Sequence, residues 1–343
     1  MVTFGSRRSP AEDSNGPLGA RIRTSRTAAF DLRGRAVSRS AQPGADPAIR
    51  ARLPTVEAFA QALERADYLT DPGLATALFL AATLPQPLLL EGEAGVGKTE
   101  AAKTLARVLD TPLIRLQCYE GIDSSEALYE WNYPRQLLGI RLAETRHEPL
   151  ADADLFGADY LLARPLLAAI QHPGPRPAVL LIDEIDRADD EFEAFALELL
   201  AESSVTIPEL GTIHASHPPV VILTSNRTRD VHDALRRRCL FHWIDFPGPE
   251  QVAEIVRRRV PASSERLSLG TAHAVTALRD LPLQKPPGIA EAVDWAAALT
   301  ALGVDRFERH TARRTLGSVL KYREDQEDAL AVDGWVLAGA AGE

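Results

Sequence analysis

Apolar residues at helical spacing open the regular part of the chain. Val56, Phe59, Ala60, Leu63 and Ala66 share one face and predict an amphipathic helix over 55–68. Asp71-Pro72 then supplies a capping carboxylate and a proline at the first helical position, so a second helix is expected to run to Thr83. Beyond the Pro85-Gln86-Pro87 break the pattern changes to short, continuous apolar runs: Pro87–Leu90, Leu113–Leu116, Val179–Ile182, Val220–Leu223 and Phe241–Ile244. Runs of this length read as strands buried on both faces, and the helical patterns between them predict a parallel sheet covered by helices. After Pro247 no strand pattern recurs. Pro249–Val260, Glu265–Leu281, Ile289–Leu302 and Thr315–Leu330 all read as helices. The expected organisation is a tail over 1–50, an α/β core over 51–247 and an α-helical domain over 248–343.

Composition changes this picture mainly at the N-terminus. Residues 1–50 hold nine Arg against four Asp/Glu, are rich in Ser, Gly and Pro, and lack aliphatic clusters. Such a segment cannot bury enough surface to offset chain entropy and is expected to be a disordered basic tail. It has no apolar h-region, so it does not read as a secretory signal. Its Arg/Ser bias resembles a transit peptide, but a plain extension of an Arg-rich chain is the simpler reading. The whole chain carries a formal charge of −10, with the excess concentrated after residue 50. That makes nucleic-acid backbone or anionic lipid a poor default partner. Only Cys118 and Cys239 occur, which excludes a disulfide framework and a four-cysteine zinc site and suits a reducing cytoplasm. The longest uncharged stretch, Gly73 to Leu90, is split by prolines, so no membrane span is expected.

The chemistry is concentrated in four places. Gly92-Glu93-Ala94-Gly95-Val96-Gly97-Lys98-Thr99 fits the P-loop pattern, with an apolar run before it and a helical pattern from Thr99 to Leu109 after it. Glycines let backbone N–H groups converge on phosphate oxygens, and the helix N-terminus favours the anion. Lys98 would reach the β- and γ-phosphates of ATP and Thr99 would ligate Mg²⁺. Glu100 closes the candidate nucleotide-binding run. The run Val179–Ile182 ends in Asp183-Glu184: Asp183 suits the metal, Glu184 the general base that activates a water. Val220–Leu223 ends in Thr224-Ser225-Asn226, which puts Asn226 at a strand end where it would hold the attacking water. Arg236-Arg237-Arg238 follows a short helix expected to open at Asp230. These arginines either cap a helix end or form an arginine finger for a neighbouring subunit, with Arg238 or Arg237 as the finger. His214 and His217, three apart without a cysteine or carboxylate cluster, read as polar turn residues, and both cysteines as small core residues.

This ordered series resembles the AAA+ ATPases, and within them the MoxR family: Gly92–Thr99 as Walker A, Leu180–Glu184 as Walker B, Thr224–Asn226 as sensor 1 and Arg236–Arg238 as the finger region. The stretches Cys118–Asp123, Ala127–Tyr133, Val205–Ile213 and Arg238–Trp243 are similar to the CoxD-like branch, associated with maturation of molybdenum-containing carbon monoxide dehydrogenase and related hydroxylases. The resemblance covers about residues 54–330. It implies a three-layer αβα core followed by a small all-α lid. It also implies a homo-oligomeric ring, commonly a hexamer, that hydrolyses ATP with Mg²⁺ and remodels a client protein. A partner with a von Willebrand factor A domain is implied as well. The family's hairpin before sensor 1 corresponds to Ser204–Ile207 and Thr212–Ala215 around Pro208–Gly211. Its insertion after the second strand corresponds to Gly121–His147, with Tyr129, Trp131 and Tyr133 either packed locally or facing a client. One departure stands out: the lid arginine of sensor 2 is replaced at Lys285-Pro286-Pro287-Gly288, leaving Lys285 as the candidate substitute. Metal-chelatase subunits and nucleic-acid motors share the same engine and are the alternative functions.

Overall fold

Alternate residues of the apolar runs face opposite sides of one parallel sheet, and each side is sealed by helices. The structure is a computed structural model and describes residues 47–147 and 155–341. Its strands are β1 (Leu88–Glu91), β2 (Leu113–Gln117), β3 (Tyr129–Trp131), β4 (Leu161–Ala163), β5 (Val179–Asp183), β6 (Ser204–Ile207), β7 (Gly211–His214), β8 (Val220–Ser225) and β9 (Leu240–Trp243). Five of them form the sheet in the order β2-β5-β8-β1-β9, every neighbour parallel. The register aligns the strand ends: Glu91 lies opposite Ser225 and Trp243, and Gln117 opposite Asp183. Polar residues that terminate separate apolar runs are thereby gathered on one carboxyl edge.

Leu89, Leu180, Ile182 and Leu223 enter one apolar cluster, while Leu88, Leu90, Leu181 and Ile222 enter the other. This is the period of two expected for strands buried on both faces. Asp71 caps the helix Pro72–Thr83 by accepting from the N–H groups of Gly73 (2.7 Å) and Leu74 (3.0 Å). A third cluster is drawn from the helices between Val252 and Val336 and the loops joining them, around Trp295, Phe307 and Trp335. Phe246, in the segment joining sheet and helices, packs against both the second and the third cluster.

Several expectations are corrected. Residues 1–46 of the expected tail lie outside the described residues, but the helix Pro47–Arg52 reaches back into that segment and buries Ile49 beside Phe59 and Leu63. The single helix expected over Thr315–Leu330 is instead a helix Arg309–Arg314, a 3₁₀ turn Leu316–Ser318 and a helix Arg323–Ala331. Side chains take backbone carbonyls there, Lys321 Nζ donating to Gly317 and Ser318 and Gln326 Nε2 to Leu320, while the buried Asp325 carboxylate accepts from the N–H groups of Gln284 and Lys285 in a distant loop. A further helix, Gly334–Ala341, buries Trp335. The short helix expected to open at Asp230 is a single turn, Asp233–Arg236, capped by His232 Nδ1. His214 ends a strand, not a turn.

The hairpin β6–β7 pairs as the turn chemistry implied, with Gly211 at φ +77°. The segment after β2 folds into helices Ser124–Leu128 and Tyr133–Arg146 and the antiparallel pair β3–β4. Trp131 is buried edge-on against Tyr129 and Phe156, whereas Tyr133, Leu137, Leu138 and Leu142 stand exposed on the longer helix. Among the described residues, no helix is long and apolar enough to cross a membrane.

The packing of Ile49, only 5% exposed, yields an expectation for truncation. A chain starting at Leu53 should be less stable than one starting at Pro47 by about 1.5–3 kcal/mol, the contribution of one fully buried aliphatic side chain. Chemical denaturation of the two chains measures this, and equal midpoints would show that the Pro47–Arg52 helix adds nothing.

Candidate nucleotide site

A cleft of about 820 Å³ opens at the carboxyl edge of the sheet, between the P-loop and the helices that follow Pro247. Its floor includes Gly95, Lys98, Thr99, Asp183, Glu184 and Asn226, and its walls include Tyr68, Phe246, Arg259 and Ile289. The volume lies within the range of small-molecule and cofactor sites.

The P-loop wraps the start of the helix Lys98–Leu109, as the sequence pattern required. A Cβ on Gly92 would meet the carbonyl oxygen of Ile244 at 2.4 Å, and Gly95 combines φ +81° with a Cβ position 2.8 Å from Gly288 Cα. Side chains are therefore excluded where the loop must bend. Lys98 is buried, and its Nζ donates to the carbonyls of Gly92 and Glu93, both at 2.7 Å. Burial pushes its pKa down to about 8, against the opposing pull of Asp186, Asp183 and Glu184.

Asp183 is the hub of the floor. Its Oδ1 accepts from Thr224 Oγ1 (2.5 Å) and Thr99 Oγ1 (3.1 Å), while its Oδ2 accepts from Arg115 Nε (2.9 Å) and Nη2 (2.6 Å). Glu184 follows in a left-handed conformation, φ +57°, with its N–H donating to Thr224 Oγ1. Its carboxylate accepts from Gln117 Nε2 at 3.1 Å and pairs with Arg187 at 3.4 Å. Asn226 lines the same cleft. Its N–H and those of the following turn are tied to Asp186, whose Oδ2 accepts from Asn226 N (3.2 Å), Thr228 N (2.8 Å) and Thr228 Oγ1 (2.8 Å).

The donor set fits Mg²⁺ and a nucleotide. Thr99 Oγ1 and Asp183 Oδ1 present two hard oxygens within 3.1 Å of each other beside a buried lysine. Among the described residues no group of three or more His, Cys, Asp or Glu forms a metal cage.

The remaining predicted residues divide. Val96 and Ala94 line the loop; Glu93 pairs with Arg279 of the helix Glu265–Arg279; Glu100 pairs with Lys103, Arg107 and Arg259. Lys285 does not line the cleft; its backbone N–H donates to Asp325 of the helix Arg323–Ala331 at 3.2 Å. Contact between the helical region and the P-loop comes from Arg279 and from the backbone: Ile289 N–H donates to Gly95 O at 3.0 Å, and Arg279 Nη1 donates to Pro287 O at 2.7 Å with its guanidinium 4.0 Å from the Phe246 ring centroid. Arg237 and Arg238 are exposed and absent from this cleft, with Arg237 81% accessible. Cys118 is buried and Cys239 partly so; burial pushes both thiols up to about 12, so neither is a thiolate nucleophile near neutral pH.

Sequence reasoning missed Arg115, Gln117, Asp186 and Arg279. The first two carried a signal: two polar residues two apart within an otherwise apolar parallel strand. Asp186 sits one turn past a strand end, and Arg279 touches the P-loop across 186 residues of chain, a contact with no local pattern.

Part of the chain matches a known family, and several known proteins are similar to it at low identity. Residues 87–239 match the AAA domain of the dynein-related subfamily. An uncharacterized protein of Staphylococcus aureus (strain bovine RF122 / ET3-1) is 26% identical over 182 residues, covering 51% of this chain; the chain spans 62% of that relative's length. The Thermotoga maritima RuvB Holliday junction branch migration motor is 16% identical, covers 81% of this chain and 76% of its own, and superposes with a TM-score of 0.44. A variant of the same motor gives 17% identity, 81% and 76% coverage and a TM-score of 0.45. The strand order, the P-loop, the paired carboxylates after β5 and the family match over 87–239 together give this part of the chain the AAA+ P-loop ATPase fold, with a helical region following it.

Proposed function

We propose that the chain is an Mg²⁺-dependent ATPase of the MoxR type that works as a ring-forming motor and remodels a client protein. The observation that carries the ATPase reading is the convergence of Lys98, Thr99, Asp183, Glu184 and Asn226 around one cleft. Lys98 neutralises phosphate charge, Glu184 takes the proton of the attacking water, and Asn226 orients that water. Thr99 and Asp183 would hold Mg²⁺, which when bound would supply charge neutralisation at the phosphates. The lid function falls to Arg279 and the Gly95–Gly288 contact in place of Lys285. Arg237 or Arg238, outside its own cleft, serves the site of the next subunit.

The motor reading is supported by Tyr133, Leu137, Leu138 and Leu142, large apolar side chains exposed together on one helix, which suit contact with a client. The four CoxD-like stretches favour a molybdenum-containing carbon monoxide dehydrogenase-like client in the cytoplasm, with a von Willebrand factor A domain protein as partner.

Two substitutions separate the assigned roles. Lys98→Ala should abolish nucleotide binding, whereas Glu184→Gln should bind ATP normally and fail to turn it over, because one residue stabilises bound phosphates and the other prepares the water. Equal loss of affinity in both would refute the division. Proteins that co-purify with the Glu184→Gln form from native cells identify the client.

The Lys98 environment sets a pH dependence. Its cation is retained below about 8 and lost as pH rises through that value, so ATP affinity should weaken above pH 8 by up to about tenfold at one unit higher. Titration of fluorescent-nucleotide binding tests this, and a flat profile through pH 9 would remove Lys98 as the phosphate-binding cation.

A further inference from the structure

Two glutamates, Glu91 and Glu193, are each 1% exposed, and neither lines the nucleotide cleft. Burying a carboxylate is costly unless it is paired and hydrogen-bonded, so each should be held for a reason. Both are satisfied by the same short segment of chain. Glu193, on the helix Asp190–Glu202, pairs through Oε1 with Arg229 and accepts the His232 N–H at Oε2 (2.8 Å). Arg229 is fixed further by Ala188 O, to which Nε donates at 3.0 Å, and by Asp230 O at 3.0 Å. Glu91, the last residue of β1, accepts both guanidinium nitrogens of Arg236, at 2.6 Å and 3.4 Å. Arg236 also lies over the Phe241 ring at 5.6 Å.

Between these anchors lies the single turn Asp233–Arg236, with Leu235 buried beneath it. One turn of helix has no stability of its own, because nucleation fixes several dihedrals for one hydrogen bond. Its geometry is therefore imposed from outside, by Glu193 at its N-terminal approach and by Glu91 at its last residue. Immediately after the second anchor come Arg237 and Arg238, both exposed. Among the described residues, the Arg237 side chain has only Asp233 on its own turn as partner, at 3.5 Å, and Arg238 Nη1 reaches only the Ala234 carbonyl at 3.5 Å.

We infer that Glu193–Arg229 and Glu91–Arg236 are positioning pairs that clamp this turn from both ends, so that Arg237 and Arg238 are presented outward at a fixed place to a second copy of this chain. The inference rests on the reading of those arginines as a finger acting in trans. A guanidinium that stabilises charge on a transferring phosphoryl group contributes ~10³–10⁵ in rate, and a misplacement of about 1 Å costs about 10²-fold. A finger on an unsupported turn would forfeit much of that contribution. Glu91 also immediately precedes the P-loop residue Gly92, so the same carboxylate ties the outgoing finger to the subunit's own phosphate loop.

The test uses the full chain with Arg229→Ala and with Glu193→Gln, the latter keeping side-chain size and an acceptor for the His232 N–H. Each is assayed alone, in fluorescent-nucleotide binding, and in equal mixtures with Lys98→Ala protein. Arg229→Ala alone should lose about 10²-fold in kcat with unchanged nucleotide affinity, and Glu193→Gln should lose less. Mixing should restore activity to both, since the variant's intact P-loop then receives a correctly held finger from the Lys98→Ala subunit. Full kcat in the unmixed variants would overturn the clamp, as would weakened nucleotide binding with no recovery on mixing. The Arg237→Ala/Arg238→Ala double variant, mixed in the same way, separates the two levels of the argument. If it recovers and the clamp variants do not, the finger stands and the clamp falls. If it stays inactive while co-assembling, the trans finger itself falls and takes the clamp with it.

Discussion

A single buried carboxylate, Asp183, holds the site together. It is reached by Thr99 from the P-loop helix, Thr224 from β8 and Arg115 from β2. A carboxylate taken out of water must find hydrogen-bond partners or lose several kcal/mol. Those partners lie on segments that follow or form β1, β8 and β2, and β5 lies between β2 and β8 with β1 next beyond. Satisfying one side chain thus demands the strand order that also builds the cleft. The same oxygens that stabilise the fold are the ones a magnesium ion would share, so folding and cofactor chemistry draw on one group.

The parts of this arrangement that could be read in the sequence are those with a strong local period. The buried strands are apolar without interruption, and the P-loop glycines are forced by backbone conformation and close approach, so both are visible in a few consecutive residues. Asp183, Glu184 and Asn226 were legible because each terminates such a run. The strands β3 and β4 have three residues each, too few to show alternation. The helical expectation over Thr315–Leu330 fails where Lys321 and Gln326 side chains take the carbonyls of Gly317, Ser318 and Leu320, bonds that propensity does not register. Lys285 stands at the chain position marked by the family resemblance, but the side chain of the helical region that meets Glu93 is Arg279, and the Gly95–Gly288 contact carries no side chain at all.

The helical region owes its placement to a small number of specific contacts. Arg279 pairs with Glu93, Ile289 donates to Gly95, and Arg258 reaches Glu64 and Asp67 on the opposite wall. Ion pairs this exposed contribute little individually. The backbone contact at Gly95 and the apolar seam at Phe246 are better suited to set the relative position of the two bodies, because both depend on shape.

Phe246 has neighbours in two apolar clusters and carries the Arg279 guanidinium on its ring. A hinge with partners on both sides makes separation uphill from either direction, since swinging the bodies apart wets the ring and strips the cation of its π face. Any opening of this mouth would have to wet part of one aromatic ring and give up one cation–π contact along with the backbone bond at Gly95.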